Sequence, residues 1–209
     1  MKILFQGDSI TDASRVRDNN DYLGRGYPAL VKATLNYEEP TKYEFLNRGI
    51  SGNRVVDLYA RLKADIINLK PDVMSILIGV NDVWHEFDFE NKPNGVDADK
   101  YFKIYSMLID EVKEALPDIK IMIMEPFALE GTGNAAYYAE FKKEVLKRAE
   151  KARAIAEKYG LPFIELQNKF DEAAKLAPNS NWLTDGVHPA EAGHELIKRE
   201  WIKCFNTIK

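Results

Sequence analysis

The chain has 209 residues, 45% of them hydrophobic, a composition that suits one ordinary globular domain spanning 1–209 with a full apolar core. Lysine and arginine number 29 against 33 aspartates and glutamates, a formal charge of −4, so no cationic excess is available to neutralise a phosphate backbone and nucleic acid is not expected as a partner. No apolar run approaches the roughly 20 residues of a membrane helix, and the single cysteine, Cys204, cannot form an internal disulfide and reads as a small buried apolar residue.

The apolar run Ile3-Leu4-Phe5 predicts a buried strand that ends at Gly7-Asp8-Ser9-Ile10-Thr11, with Ser9 on a tight turn at the rim of the sheet. A nucleophile belongs there, yet Ser9-Ile10-Thr11-Asp12 also has the spacing of a helix capping box, and the pentapeptide alone does not choose. The stretch 1–6 is too short for a signal-peptide apolar region and runs directly into this turn, so a cytoplasmic location is expected. A helix near 27–35 follows, with Leu30, Val31 and Leu35 inward, then a second strand at 43–46 leading into the turn Asn47-Arg48-Gly49-Ile50-Ser51-Gly52-Asn53. Val55, Leu58, Tyr59, Leu62, Ile66 and Leu69 stand at helical spacing and predict one helix, stopped by Pro71.

The run 73–78 is nearly continuously apolar, as strands of parallel sheets are, and ends at Gly79-Val80-Asn81-Asp82. A loop rich in aromatic and acidic residues, 84–97, precedes a helix marked by Tyr101, Tyr105, Leu108, Ile109, Val112 and Leu116. A fourth strand, 119–124, is ended by Pro126, and 129–135 forms a loop. The long helix 136–158 carries Phe141, Val145, Ala149, Ala152 and Ile155 on one face; its lysines and Arg148 read as a solvated face, with Glu144 and Arg148 paired at i,i+4. Gly160 stops it, a last strand lies at 161–166, and a short helix near 168–176, a loop at 178–189 and a helix with Leu196, Ile197, Trp201 and Phe205 complete the chain.

Five apolar strands alternating with helices point to a parallel sheet covered on both faces, whose ligand crevice lies at the carboxyl ends of the strands. Ser9, Gly52 and Asn81 each follow a different strand, so three polar turns converge on one rim. A serine hydroxyl needs an adjacent base held by a carboxylate. Of the three histidines, His188 in Thr184-Asp185-Gly186-Val187-His188-Pro189 has a carboxylate three residues earlier, and one turn of chain lets Asp185 hold the imidazole while its other nitrogen faces Ser9. His85 lies among exposed-looking residues, and His194 stands at the start of a helix, where it packs or caps. The amides of Ser9 and Gly52 and the Asn81 side chain supply three donors for an oxyanion. Each residue also has a plainer reading: a surface loop histidine, a turn glycine, a helix-capping asparagine. Four coincidences at the right strand ends favour chemistry.

Together, Gly7-Asp8-Ser9-Ile10-Thr11, Gly49-Ile50-Ser51-Gly52-Asn53, Gly79-Val80-Asn81-Asp82 and Asp185-Gly186-Val187-His188-Pro189 resemble, in order and spacing, the four sequence blocks of the SGNH (GDSL-type) hydrolase family. Ile10 stands where the family's name has leucine, which leaves the turn chemistry untouched. The resemblance implies a three-layer α/β/α, flavodoxin-like fold with a five-stranded parallel sheet, a triad of Ser9, His188 and Asp185, an oxyanion hole from Ser9, Gly52 and Asn81, and no metal or organic cofactor. Asp8 resembles a residue that orients the hole, although a favourable charge at a helix N-terminus explains it equally.

The stretches 49–58 and 78–84, with Met124-Glu125-Pro126-Phe127, are similar to intracellular SGNH acetylesterases acting on xylan-derived oligosaccharides. A small acylated substrate is therefore the expected partner. Trp84, Phe87, Tyr137, Tyr138 and Trp182 are available as platforms for sugar rings, with core packing the default for each. The rivals are a lysophospholipase or thioesterase with the same triad and, outside the enzymes, a flavodoxin-like binding module. Gly131-Thr132-Gly133 is too short for a phosphate cradle and lacks its lysine. A homo-oligomer is left open by the sequence.

Overall fold

In a computed structural model, which describes residues 1–87 and 93–209, the chain builds one all-parallel sheet from β1 (Lys2–Gly7), β2 (Glu44–Asn47), β3 (Val73–Leu77), β4 (Lys120–Met124) and β5 (Phe163–Ile164). The strand order β2-β1-β3-β4-β5 reverses between β1 and β3. Connections from these two strands leave in opposite directions, and the crevice they open lies at the carboxyl ends where Ser9 and Asn81 were expected. The predicted fifth strand is much shorter than 161–166.

Side-chain alternation along each strand feeds two cores. Ile3 and Phe5 of β1 and Met122 and Met124 of β4 face one layer, built from α2 (Tyr27–Glu38), α8 (Gln167–Ala174) and α9 (Glu191–Phe205). Leu4, Met74, Ile76, Ile121 and Ile123 face the other, covered by α3 (Val55–Ala60), α4 (Leu62–Asp65) and α6 (Ala98–Ala115). The long α7 (Tyr138–Tyr159) serves both, through Phe141 and Val145 near its start and Ala152 and Ile155 near its end. No helix among the described residues is long and apolar enough to cross a membrane.

Three local expectations change. The helix predicted from Val55 to Leu69 is broken into α3, α4 and a 3-10 turn at Ile67–Leu69. Each piece still shows its apolar residues to the sheet, and the break puts the Arg61 guanidinium against Asn53 Oδ1, the Arg48 carbonyl and Asp65 Oδ2, each at 2.8 Å. Arg148 is buried rather than solvated: Nη2 donates to the Val96 carbonyl at 2.7 Å, and the guanidinium also pairs with Glu144 as expected. A short helix, α5 (Val80–Trp84), takes up the predicted turn after β3 and ends at the first residue of the predicted aromatic loop, whose residues 88–92 lie outside those described. Gly160 ends α7 in the left-handed region, φ +63°, as its position suggested, and Cys204 is half-buried.

The final helix is tied to the first strand by aromatics. Trp201 is fully buried, its ring 5.4 Å from Phe5 and stacked on Phe205 at 5.0 Å. Trp201→Ala should cost about 3–5 kcal/mol, nearer the lower value because the buried indole N–H it removes has no partner among the described residues. Urea denaturation reads this; a loss below about 1 kcal/mol would mean that α9 is held elsewhere.

Candidate active site

Gly7 closes β1 where the chain turns sharply. A Cβ there would lie 2.4 Å from the Leu77 carbonyl oxygen and 2.5 Å from Thr11 Oγ1, so only glycine passes between β3 and the turn. The next residues form the short helix α1 (Ser9–Asp12), whose N-cap is Asp8 and not Ser9: Asp8 Oδ1 accepts the Ile10 N–H at 3.0 Å. Asp8 thereby supplies the cap and leaves the Ser9 hydroxyl free for other partners.

That hydroxyl lies 2.9 Å from His188 Nε2, across 179 residues of sequence, and His188 Nδ1 lies 2.7 Å from Asp185 Oδ2. The other Asp185 oxygen accepts the N–H groups of Val187 at 2.9 Å and His188 at 2.8 Å. Burial pushes the Asp185 carboxyl up, but the His188 ring and these two amides outweigh it and hold it at about 2. An ionised carboxylate only accepts, so Nδ1 carries the proton and Nε2 accepts from Ser9 Oγ–H. The hydrogen bond to Asp185 raises the His188 pKa above its usual value, against the opposing effect of burial.

The loop bearing this pair is braced on both sides. Leu183 bridges to Pro189, and the Thr184 N–H donates to the His188 carbonyl at 2.8 Å. The segment after β4 packs against it so closely that a Cβ on Gly131 would sit 2.2 Å from backbone atoms of Asp185 and Gly186, and the Gly133 N–H donates to the Asp185 carbonyl at 2.9 Å.

Gly52 follows β2 with φ +79°, a left-handed conformation that side chains resist, and a Cβ there would meet nothing within 4 Å. The glycine is required by its backbone angle, and the space beside its Cα is open. Neither the Ser9 nor the Gly52 N–H donates to a described residue. Asn81, in α5 after β3, is buried, and its Nδ2 donates to the Asn53 carbonyl at 3.1 Å, which fixes the amide while leaving its second hydrogen.

Several residues that hold this rim were not singled out by the sequence. Both oxygens of Asp82 accept the Val55 N–H, at 3.0 and 3.2 Å, anchoring α3 just beyond Gly52. Asn47 Nδ2 donates to the carbonyls of Thr11 at 2.7 Å and Leu23 at 2.9 Å, while its Oδ1 accepts the Gly49 N–H. Arg61 Nη2 reaches the Gly7 carbonyl at 3.2 Å. Asp82 was visible beside Asn81; Asn47 and Arg61 are ordinary residue types at strand and helix ends and carried no local signal. Asp8 and Asp82 are both fully buried, and burial pushes each to about 7 against the opposing bonds from the Ile10 and Val55 amides.

Trp84 packs beside His188 with ring centroids 5.7 Å apart, and its indole N–H donates to Tyr137 Oη at 2.9 Å. Phe87 stacks on Tyr137 at 4.7 Å. Tyr138 and Trp182 instead line depressions on α7 and between α8 and α9, away from Ser9. Among the described residues no group of three or more histidine, cysteine, aspartate or glutamate side chains is placed to hold a metal ion.

Known proteins resemble this chain in both sequence and fold. Residues 5–196 match the GDSL-like lipase/acylhydrolase family model. The chain is 36% identical over 209 residues to an acetylxylan esterase from Geobacillus stearothermophilus, covering 97% of this chain and 92% of the relative. A crystal structure of an acetylxylan esterase from that organism superposes with a TM-score of 0.85 at 35% identity, over 97% of this chain and 92% of the other. A Parabacteroides merdae protein described as a GDSL-like lipase superposes with a TM-score of 0.88 at 37% identity, over 98% and 95% of the two chains. With its three-layer architecture and this match over nearly its whole length, the chain belongs to the GDSL-like lipase/acylhydrolase (SGNH) family and is a carboxylic ester hydrolase.

Proposed function

We propose that the protein removes acetyl groups from acetylated oligosaccharides, xylo-oligosaccharides in the first instance, through a Ser9–His188–Asp185 triad and an acyl-enzyme intermediate. The observation that carries the chemistry is the continuous hydrogen-bonded chain from Ser9 Oγ through His188 to Asp185 at 2.9 and 2.7 Å. The substrate class is supported by the likeness to the acetylxylan esterase.

In the first step Ser9 Oγ attacks the ester carbonyl carbon as His188 Nε2 takes its proton. The developing oxyanion is held by the amides of Ser9 and Gly52 and by the free hydrogen of the Asn81 side chain. His188 then protonates the departing sugar oxygen as the ester C–O bond breaks. Water attacks the acyl-serine, giving its proton to His188, and the proton returns to Ser9 as the acid leaves. Asp185 stays ionised throughout and stabilises the imidazolium. Asp8 acts behind the reacting atoms, fixing through the Ile10 amide the turn that aims the Ser9 N–H. Trp84 packs on His188 and offers substrate a ring face, since its N–H is held by Tyr137.

Three outcomes follow. Ser9→Ala should abolish acetate release from acetylated xylo-oligosaccharides while leaving the circular-dichroism spectrum and melting temperature in place; retained turnover in the purified variant would remove Ser9 as nucleophile. In the same assay, activity on simple esters should collapse as the acyl chain lengthens, whereas a rise with length would move the assignment to a lipid esterase or thioesterase. Asn81→Ala should lower kcat about 100-fold to 1,000-fold with a small change in KM, the signature of a donor engaged in the transition state.

The pH profile is a fourth check. The base must be neutral, and the hydrogen bond to Asp185 raises the His188 pKa, so kcat/KM should fall with decreasing pH through a midpoint above the ordinary histidine value. Asp185→Asn should move that midpoint down; an acid limb that stays in place would assign it to another group.

A further inference from the structure

The cleft beside Ser9 and His188 has a volume of about 500 Å³ and is also lined by Ser14, Arg25, Glu191 and His194. An acetyl group fills only a small part of such a space, so most of it is available to the alcohol portion of an ester.

His194 stands near the start of α9, and its Nδ1 accepts the N–H of Tyr27 at 3.1 Å. Tyr27 opens α2, whose N-cap Gly26 has no side chain to satisfy that orphan amide. The histidine of one helix therefore caps another. A ring nitrogen that accepts a hydrogen bond carries no proton, so the neutral imidazole bears its hydrogen on Nε2. Burial pushes the His194 pKa down to about 4; Arg25 and His188 act in the same direction and Glu191 opposes them. The ring is thus uncharged across the working range of an ester hydrolase.

Gly26 presses on the same edge: a Cβ there would lie 2.9 Å from His194 Cε1 and 3.2 Å from Nδ1. With that edge packed against the start of α2, the ring is fixed in orientation. Nε2 bonds to no described residue, and the ring borders the cleft that holds Ser9.

We propose that His194 is a substrate-binding residue, its Nε2–H donating to a hydroxyl or ring oxygen in the alcohol portion of the substrate while Nδ1 holds the start of α2. This rests on the carbohydrate ester reading above. A fixed, neutral donor selects for oxygen-rich alcohols and against hydrocarbon ones, which leave the N–H desolvated and unpaired.

Two substitutions separate the donor from the cap. His194→Asn places an amide oxygen near the position of Nδ1 and removes the more distant donor; His194→Gln places an amide nitrogen near Nε2 and weakens the cap. The measurement is the ratio of kcat/KM for an acetylated xylo-oligosaccharide to that for 4-nitrophenyl acetate, whose leaving group has no sugar hydroxyls, together with the melting temperature. His194→Asn should lower the ratio about tenfold, mainly through KM on the saccharide, with a melting temperature close to wild type. His194→Gln should recover most of the ratio while melting lower. A ratio that survives His194→Asn, or a fall on both esters that tracks melting temperature in both variants, overturns the inference and makes His194 a cap alone. A wild-type enzyme with no preference for the saccharide defeats the carbohydrate reading and this inference with it, whereas a wild-type preference that His194→Asn retains defeats the inference only.

Discussion

The contact between Ser9 Oγ and His188 Nε2 joins chain segments separated by 179 residues, and the rest of the structure is arranged so that it holds at 2.9 Å. Neither partner is placed by its own turn alone. Ser9 is aimed by the Gly7 passage between β3 and α1 and by the Asp8 cap. His188 is aimed by the Asp185 carboxylate and by a loop braced against the segment after β4. What brings the two turns together is the docking of α9 onto α2 and β1, through Trp201 on Phe5 and His194 on the Tyr27 amide. Lengthening the 2.9 Å contact by 1 Å would take it out of hydrogen-bonding range, so the apolar packing of α9, remote from the rim, helps to hold it.

Behind the rim lies a second constraint of opposite character. Asp8 and Asp82 are buried with no salt-bridge partner among the described residues, each held by a backbone amide, and burial moves the pKa of both up to about 7. Apolar groups would be cheaper there. The two carboxyls anchor the turns after β1 and β2 through the Ile10 and Val55 amides. Arg148, buried in the layer beneath, contributes positive potential at Asp82 while donating to the Val96 carbonyl. Both buried carboxyls therefore sit where a backbone amide at the start of a helix needs an acceptor.

This division explains what the sequence disclosed. The strands were legible because each is a short apolar run, and the rim was legible because glycine, serine and asparagine stand just after strand ends, and a histidine in the loop before the last helix, where a core has no use for them. Arg148 was misplaced because a basic run on a helix looks solvated unless the carbonyl it meets is known, and Val96 lies 52 residues away. The break at Arg61 escaped notice because apolar spacing continues through it, the helix yielding to a guanidinium that serves the turns after β1 and β2. Ser9 was offered as a cap because its local spacing allows one, but Asp8 takes that place. Trp182 and Tyr138 looked like sugar platforms by residue type alone, and only the packing of α7, α8 and α9 turns them elsewhere.

Ser9 is the proposed nucleophile, and the most direct measurement is covalent trapping with a small alkyl phosphonate ester, read by intact mass and peptide mapping. One equivalent of phosphonyl adduct on Ser9, formed in parallel with loss of esterase activity and slowed when His188 is replaced by alanine, is the predicted result. An adduct on another residue, or full loss of activity without modification of Ser9, would contradict it.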